Sequence, residues 1–372
     1  MKKVLILGVA AVQYEAIKEL NNMGVETHAV AQKNDGPGAG EAHKFTEINI
    51  LDTDKLENYI LANQIDAVYS TGSDLAMPII SFLSEKLDLP HFVSERTAQI
   101  CNNKNLMRKE LGNSFHGNVP FQILENKYEN IELEYPFIMK PTDSQGQRGV
   151  ELITNYEEFL NKFDDIKGYT RSGLVIIEKY IKGPEISVNG YVVNGRIAYL
   201  ESTDRETWEK YIGLIHKHIV PASALDEDSN EELLEIMNKL VEKLSIQNGP
   251  IYAQVKVENN HPYIIEVTPR LDGCHMWNVL SRYNNVNLMK LTLNHLLNED
   301  TSELENRISN VRSQELEFIC QEPNTPADYT QYERMIQDSD ESYLYYQQGQ
   351  TIKPVNGKFE KIGYIINRVE EV

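Results

Sequence analysis

Two groups of residues, far apart in the chain, have the chemistry to act together on phosphate and metal. The first is Lys140 with the glycine-rich loop that follows it, KPTDSQGQRG at 140–149. Glycine lets backbone N–H groups approach an anion closely, because no Cβ stands in the way. The second group is Gln254 followed by EVTPR at 266–270, which offers oxygen atoms and then a guanidinium. Mg²⁺ binds through carboxylates and substrate phosphates, so the two groups predict a magnesium–nucleotide site.

Gln254 and Glu266 lie at an even spacing on two strand-like runs, 251–257 and 263–268. If a three-residue loop at 259–261 joins these runs as a hairpin, the two side chains lie opposite each other on one face, and Thr268 lies two residues further on. The three residues would then share one metal cluster. The alternative is that Glu266 is a solvent-facing strand residue, although its apolar neighbours favour burial.

Several cations are candidates for phosphate or carboxylate binding. Arg270 follows a proline, which restricts its backbone, and its guanidinium is suited to a carboxylate or phosphate; a structural salt bridge is the alternative. Lys140 ends an apolar strand, whereas Lys104 is either a ligand or an exposed lysine before a helix. His216 and His218 form either a metal pair or a phosphate-facing set, and the lack of a suitably spaced acid disfavours zinc.

Composition excludes several classes of protein. The 372 residues suit two or three lobes, and the net charge of −20 argues against binding to nucleic acid or to an anionic membrane. The three cysteines lie far apart and form no CxxC pair, which is typical of a reducing cytoplasm and argues against a zinc site or a disulfide framework. The opening apolar run is too short for a signal peptide, and no run reaches the roughly 18 residues of a membrane span.

Periodicity divides the chain into four regions. Residues 1–97 alternate apolar strands, glycine turns and helices, which predicts an open parallel α/β unit with ligands near 8–13 and 70–74. Residues 98–172 form a small lobe with the glycine loop, and 173–300 a strand-rich large lobe. This large lobe contains a hairpin at Asn194-Gly195 and an amphipathic helix after a capping box of Ser229 and Glu232. Residues 301–372 are predicted to be a small α+β appendage.

In this order, the motifs resemble those of the ATP-grasp superfamily, and in particular its carboxylate–amine ligases. The resemblance covers nearly the whole chain: an α/β lobe, KNLM at 104–107, YPFIMKP at 135–141 with the glycine loop, EKYIKGPE at 178–185, and the strand pair from Gln254 to Arg270. It implies an α/β fold with α+β lobes, namely an ATP-grasp fold preceded by a Rossmann-like parallel pre-grasp domain.

The resemblance also implies roles for single residues. Lys104 and Lys140 would contact ATP phosphates, and the loop residues Ser144, Gly146 and Gly149 would close over them. The implied roles of the remaining residues are an adenine-reading hinge (Glu178, Lys179 and Tyr180), a ribose acceptor (Glu185), a basic phosphate contact (His218), metal ligands (Gln254, Glu266 and Thr268), and a clamp for the substrate carboxylate or acyl-phosphate (Arg270). The family usually has an acid at the position of Gln254 and an asparagine at that of Thr268. Gln254 still offers a carbonyl oxygen, but it carries no charge.

The implied activity is an ADP-forming ligation of a small-molecule carboxylate to an amine through an acyl-phosphate. It would use ATP with Mg²⁺, or Mn²⁺ as an alternative, and Lys140, His218 and Arg270 would stabilise charge. The second substrate is expected between the strand ends of the first lobe and Arg270, near 273–277. Three alternatives stay open: a kinase-like phosphotransferase, a dinucleotide-dependent oxidoreductase, which would lack GxGxxG, and a non-catalytic nucleotide sensor. The oligomeric state is also open, with a homodimer among the alternatives.

Overall fold

The part of the chain that the structure describes contains three β-sheets, which lie in its N-terminal, middle and C-terminal regions. The computed structural model describes residues 1–142, 149–170, 172–211, 213–309, 312–354 and 359–369. The predicted Ser144 and Gly146 therefore lie outside the described residues. Among the described residues, no helix has both the length and the apolar character needed to cross a membrane.

The N-terminal lobe is a parallel sheet in the order β3-β2-β1-β4, as the alternation of strands and glycine turns predicted. The apolar residues of its first strand are fully buried, because helices cover both faces of a parallel sheet. Its elements in chain order are β1 (Lys3–Leu7), α1 (Ala11–Asn22), β2 (Glu26–Ala31), α2 (Gly38–Glu41), β3 (Lys44–Glu47), α3 (Thr53–Asn63), β4 (Ala67–Tyr69), α4 (Ala76–Lys86), α5 (Glu95–Asn102) and α6 (Lys104–Leu111).

The small lobe is an antiparallel sheet in the order β5-β8-β6-β7, covered by one helix. That helix presents Phe159, Phe163 and Ile166, at helical spacing, to the sheet. The elements are β5 (Phe121–Leu124), β6 (Phe137–Pro141), β7 (Glu151–Ile153), α7 (Tyr156–Lys167) and β8 (Val175–Lys179). Because β8 pairs with β5 and β6, the small sheet extends to Lys179, beyond the predicted boundary at residue 172.

Over the described ranges, the large sheet has eight strands in the order β13-β12-β9-β10-β11-β14-β16-β15. The predicted hairpin at Asn194-Gly195 is confirmed, and both turn residues have the positive φ (52° and 74°) that such two-residue turns need. The elements are β9 (Glu185–Val193), β10 (Arg196–Thr207), β11 (Ile215–Val220), α8 (Glu227–Lys243), β12 (Gly249–Glu258), β13 (His261–Thr268), α9 (Met276–Asn284), α10 (Leu288–Asn298), β14 (Gln314–Gln321), α11 (Glu333–Asp338), β15 (Glu341–Leu344) and β16 (Glu360–Arg368).

Two local predictions in this region need correction. After residue 300, β14 pairs with β11, β16 pairs with β14 and β15 pairs with β16, so these strands extend the large sheet instead of forming an appendage. Helix α8 is capped by Asp226, and Ser229 is the third residue of its first turn, so the capping box lies one turn earlier than predicted. Glu232, the expected partner of Ser229, instead lies 2.6 Å from ring nitrogens of both His116 and His261.

The two faces of the large sheet differ in chemistry. One face presents apolar residues of β9, β12 and β13 to α8, α5 and α6. The opposite face is apolar over β11, β14 and β16, where it packs against α1, α9 and α10. Toward β13 this second face becomes polar, with Glu185, Gln254 and Glu266 on neighbouring strands. The candidate site lies at this polar end, beside the small lobe.

Candidate functional site

The predicted phosphate lysine, Lys140, is part of a buried cluster of charges. Its side chain is 6% exposed, and its Nζ donates to Glu178 Oε2 at 2.5 Å. Arg108 Nε donates to the other oxygen of the same carboxylate at 2.8 Å. Burial alone would raise the pKa of Glu178, but Arg108 and Lys140 outweigh it and lower that pKa to about 2. Glu178 is therefore a firmly ionised bridge between two cations.

The pKa of Lys140 lies below that of an ordinary surface lysine. Burial lowers its pKa to about 8, and the nearby cations Lys104 and Arg108 act in the same direction, against the opposing effect of Glu178. The ammonium is thus charged at neutral pH but is held in a region rich in positive charge. Such a region is suited to an anion with several charges, such as a polyphosphate.

Arg108 was not among the predicted site residues, yet it holds the site together. Its guanidinium is fully buried and also donates to Asn118 Oδ1 at 2.8 Å, to the Ile264 carbonyl at 2.8 Å and to the Ile265 carbonyl at 3.1 Å. One side chain on α6 therefore connects β8 of the small lobe to β13 of the large sheet. The sequence signal for its burial is its position beside Met107, on the buried face of an amphipathic helix.

Gln254 and Glu266 pair directly across β12 and β13, as predicted, but for a different reason. The hairpin turn has two residues, Asn259 and Asn260, with Glu258 opposite His261, so a regular ladder would place Gln254 opposite Ile265. A β-bulge at Ile265 shifts the register by one residue and brings Glu266 into line. The carbonyls of Ile264 and Ile265, at the bulge, are the two that Arg108 binds.

Glu266 lies close to the second predicted phosphate lysine. Lys104 Nζ, at the start of α6, is 3.8 Å from Glu266 Oε2, and both side chains are about one-third exposed or less. Lys104 lies on the same helix as Arg108, and Arg108 and Lys140 bind the same carboxylate, that of Glu178. Two phosphate-type cations and the predicted metal carboxylate thus converge from α6, β6 and β13, which lie far apart in the chain.

The amide of Gln254 has a partner that explains why an acid is absent here. Its Nε2 donates to Glu185 Oε1 at 2.7 Å, and Arg205 Nη1 lies 2.6 Å from the same oxygen. A glutamate at position 254 would place two carboxylates within hydrogen-bonding distance. Arg205 was not among the predicted site residues; the register of β9 and β10 places it beside Glu185.

In the predicted adenine-binding hinge, two backbone N–H groups already donate to carbonyls of the protein. The backbone N–H of Lys179 donates to the Pro120 carbonyl at 2.9 Å, and that of Tyr180 to the Pro136 carbonyl at 3.4 Å. The Glu178 side chain faces Lys140, and the Lys179 ammonium pairs with Glu258 at 2.8 Å. Contacts with adenine would therefore use other groups of this segment, and this role stays a prediction.

Arg270 is held by the N-terminal lobe. Its Nε and Nη2 lie 2.7 and 2.6 Å from Asp74 Oδ1, and its Nη1 donates to the Leu271 carbonyl at 2.9 Å. Asp74 follows β4, where ligands were expected. At the same place Gly72 (φ +65°) leaves no room for a side chain, because a Cβ would lie 2.9 Å from Gly273 Cα. The strand ends of the first lobe therefore close directly over the loop after β13.

Comparison with known proteins agrees with this architecture. Residues 133–277 match the family model described as the ATP-grasp domain. The chain contains an ATP-grasp domain. It is similar to a formate-dependent phosphoribosylglycinamide formyltransferase of Sulfurisphaera tokodaii, with 26% identity over 72% of this chain and 70% of the relative.

Two solved structures share the fold over almost their full length. A phosphoribosylglycinamide synthetase from Anaerococcus prevotii superposes with a TM-score of 0.81 at 18% identity, covering 100% of this chain and 95% of that one. An L-amino acid ligase from Bacillus licheniformis gives 0.81 at 20% identity, covering 99% and 93%. The predicted ATP-grasp fold, with its parallel N-terminal lobe, is confirmed.

The expected role of His218 as a basic phosphate contact needs correction. His218 is fully buried on β11, and burial, together with Arg205 and Lys361, lowers its pKa well below the usual value. The ring is therefore neutral at pH 7 and can offer a phosphate at most a hydrogen bond. Its Nδ1 lies 3.1 Å from Thr203 Oγ1.

The oxygen donors on β12 and β13 fit a magnesium ion. Glu266 supplies a carboxylate, and Gln254 retains its carbonyl oxygen because only its Nε2 is used by Glu185. Thr268 Oγ1, buried on the same strand, has no hydrogen-bond partner among the described residues. Together these three side chains offer oxygen atoms and one negative charge. Such a set suits a hard cation that the substrate phosphates also bind.

Proposed function

We propose that this ATP-grasp protein is an ADP-forming ligase that joins a small-molecule carboxylate to an amine through an acyl-phosphate. The observation that carries the proposal is the convergence of Lys104 and Lys140 with Glu266 at the junction of the lobes. Cations for phosphate and a carboxylate for a metal are the components that phosphoryl transfer requires. The relatives named above include a formyltransferase, a synthetase and an amino acid ligase, and these names support the same class.

The first step places the γ-phosphate of ATP against the substrate carboxylate. A carboxylate oxygen forms a bond to phosphorus while the bond to the β-phosphate oxygen breaks, which releases ADP. Lys104 and Lys140 would hold the phosphates, and Glu266, Gln254 and Thr268 would bind the magnesium, or manganese, that neutralises their charge. Arg270, fixed by Asp74, would orient the carboxylate or the acyl-phosphate.

In the second step the amine attacks the acyl carbon. A C–N bond forms, the bond from the carbon to the phosphate oxygen breaks, and the amine loses a proton. Phosphate is the leaving group, so no covalent enzyme intermediate is needed. The neutral His218 lies near Arg205 at the edge of this region and is suited to hydrogen bonding but not to charge stabilisation.

The deciding experiment incubates the protein with ATP and Mg²⁺ and a panel of carboxylic acids, each with and without pooled amines. We expect ADP and phosphate only when an acid and an amine are both present, and an amide product by mass spectrometry. The Glu266→Gln variant should bind ATP but fail to turn it over. A stable phosphorylated product formed without an amine would instead indicate a kinase.

The partners implied are small molecules, and the predicted homodimer stays a prediction. We also propose a cytoplasmic location for the enzyme. The three cysteines support it, because all are buried and unpaired, as expected of a protein from a reducing compartment.

A further inference from the structure

Two histidines converge on one glutamate at a surface away from the proposed nucleotide site. His116 Nε2 and His261 Nδ1 each lie 2.6 Å from the same oxygen, Oε1 of Glu232. The ligand atoms of the three residues all lie within 4.8 Å of one another, and the two imidazole rings pack with their centroids 4.8 Å apart. One imidazole is enough for an ion pair with a carboxylate, whereas a metal ion needs several donors around one point.

The three side chains come from different parts of the chain. Glu232 lies on α8, His261 is the first residue of β13, and His116 lies in the segment between α6 and β5. Residues so far apart form no motif with the usual ligand spacing of a zinc site. The sequence therefore disfavoured zinc at the cysteines and at His216 and His218, and gave no signal for this cluster.

Backbone contacts hold the three elements together around the cluster. Gly117, which follows the first histidine, has a φ of +84° and packs so closely on α8 that a Cβ would lie 2.7 Å from Ile236 Cδ1. The Gly117 carbonyl also accepts from the Ile264 N–H at 2.8 Å, which ties this segment to β13. On the other side, Asn260 Nδ2 in the hairpin turn donates to Asp226 Oδ2, at the start of α8, at 2.6 Å. The ligands are therefore pre-organised by the fold.

The charges around the cluster favour a cation. The first half of α8, EDSNEELLE at 227–235, contains five acids and neither lysine nor arginine. Two lysines of the neighbouring surface are already paired, Lys239 with Glu235 at 2.5 Å and Lys179 with Glu258 at 2.8 Å. The cluster is also accessible from solvent, since the histidine between α6 and β5 has a side chain that is 50% exposed. An ion can therefore enter without a change in the fold.

The types of donor select the ion. Two imidazole nitrogens and a carboxylate oxygen are typical ligands of Zn²⁺, whereas Mg²⁺ prefers oxygen donors alone. We propose that His116, Glu232 and His261 bind a zinc ion. Bonds of about 2.0–2.2 Å in a tetrahedron separate the donors by about 3.3 Å, so the carboxylate would move back from each ring by less than about 1 Å. Each neutral imidazole would bind through the nitrogen that faces Glu232 and carry its proton on the other nitrogen, and water would take the fourth position.

This zinc site is separate from the proposed magnesium site and acts on a different part of the structure. Glu266 lies five residues beyond His261 on β13, a distance of about 15 Å along an extended strand. The segment that carries His116 also carries Asn118, which accepts from Arg108 Nη1 at 2.8 Å. The ion would therefore fix the connection between α6 and the small lobe against the large sheet, and its binding should stabilise the folded protein.

Titration calorimetry of the chelator-treated protein with Zn²⁺, in excess Mg²⁺ and without ATP or substrates, tests the inference apart from the ligase proposal. Excess Mg²⁺ occupies sites made of oxygen donors alone. We expect one zinc ion to bind, and Zn²⁺ to raise the midpoint of thermal unfolding. Co²⁺ in place of Zn²⁺ should give the visible absorption of a tetrahedral site. A wild-type protein that binds no Zn²⁺ would overturn the inference and leave the cluster as a plain ion pair.

Variants locate the ion. His116→Gln and His261→Gln should each weaken Zn²⁺ binding by at least about tenfold, because each removes one of three protein ligands. His216→Gln is the matched control: it removes a histidine that also pairs with a glutamate, Glu317 at 3.0 Å, and should bind Zn²⁺ as the wild type does. Circular dichroism checks the fold, and if one ligand variant does not fold, the other decides. Wild-type affinity in a folded ligand variant would place the ion elsewhere and overturn the inference.

Discussion

Lys140 illustrates how the surroundings of one residue set its function. A lysine on an apolar strand is costly to bury, and here Glu178 compensates part of that cost. Because Glu178 is also paired with Arg108, Lys140 can turn toward a ligand without leaving the carboxylate unpaired. The buried cluster therefore makes the lysine available to a phosphate.

Replacing Lys140 by methionine should weaken ATP binding with a modest effect on folding. The variant loses a charge-assisted hydrogen bond to phosphate, which corresponds to an affinity lower by at least about tenfold. Titration calorimetry with MgATP would measure it. Lys127→Met, which removes a lysine paired with Asp164 at the surface of the small lobe, should bind ATP normally. Equal affinity in both variants would remove Lys140 from the site.

Gln254 gives the second prediction at this scale. Gln254→Glu places two carboxylates beside each other, so the metal-free protein should lose about 1 kcal/mol of unfolding free energy. Added Mg²⁺ should then stabilise the variant more than the wild type, because the site has gained a charged ligand. Thermal unfolding with and without Mg²⁺ would show this. Gln254→Met adds no charge, so Mg²⁺ should not stabilise this variant more than the wild type. If Mg²⁺ did so, the added charge could not explain the stabilisation of Gln254→Glu.

At the scale of the elements, the register of β13 is set by a β-bulge, and a side chain of α6 binds the backbone of that bulge. The register shift at Ile265 places Glu266 opposite Gln254, and Arg108 binds the two carbonyls involved. The same guanidinium binds Glu178 on β8. One side chain therefore positions the strand that carries the proposed metal ligands relative to Lys140, the lysine proposed to bind phosphate.

Arg108→Met should destabilise the protein by about 3–5 kcal/mol, because it removes one of the two cations that pair with the buried Glu178 and also removes the donors to the Ile264 and Ile265 carbonyls. Urea unfolding would measure the loss. Arg108→Lys, which keeps the charge but not the planar set of donors, should recover part of the stability and not the metal-dependent activity. A loss below about 1 kcal/mol in Arg108→Met would mean that the bulge and Glu178 are held by other contacts.

At the scale of the whole molecule, ion pairs join the lobes. Asp74 of the N-terminal lobe holds Arg270 after β13, and the cluster around Glu178 joins α6, the small lobe and the large sheet. The relative placement of the lobes therefore depends on carboxylates that are ionised.

Stability should accordingly fall in acid. Glu178 titrates near 4.5 in the unfolded chain and near 2 in the folded one, so its contribution is fully present above pH 4.5 and is lost as the pH falls toward 2. The contribution is on the order of 3 kcal/mol. Urea unfolding of the wild type and of Glu178→Gln at several pH values would test it: the difference between them should shrink as the pH falls from 4.5 to 2. A constant difference would contradict the assignment.

Local chemistry was enough to predict much of this protein. Apolar strands, glycine turns and helical spacing indicated the fold, because these signals depend on residue type and on the period of a strand or helix. The Asn194-Gly195 turn was predictable for the same reason. The nucleotide site inferred from Lys140, Gln254 and Glu266 stays a prediction. The pairing of Gln254 with Glu266 was predicted correctly, although the bulge that produces it was not.

Other features depend on contacts between residues that are distant in the chain. Arg108 and Arg205 are ordinary charged residues in the sequence, and only packing shows that Arg108 is fully buried and that Arg205, whose side chain is 11% exposed, lies against Glu185. The neutral state of His218 depends on burial and on cations from other strands. Desolvation and long-range charge are properties of the folded surroundings, which is why only the tertiary structure reveals the neutral state of His218 and the ion pair that holds Arg270.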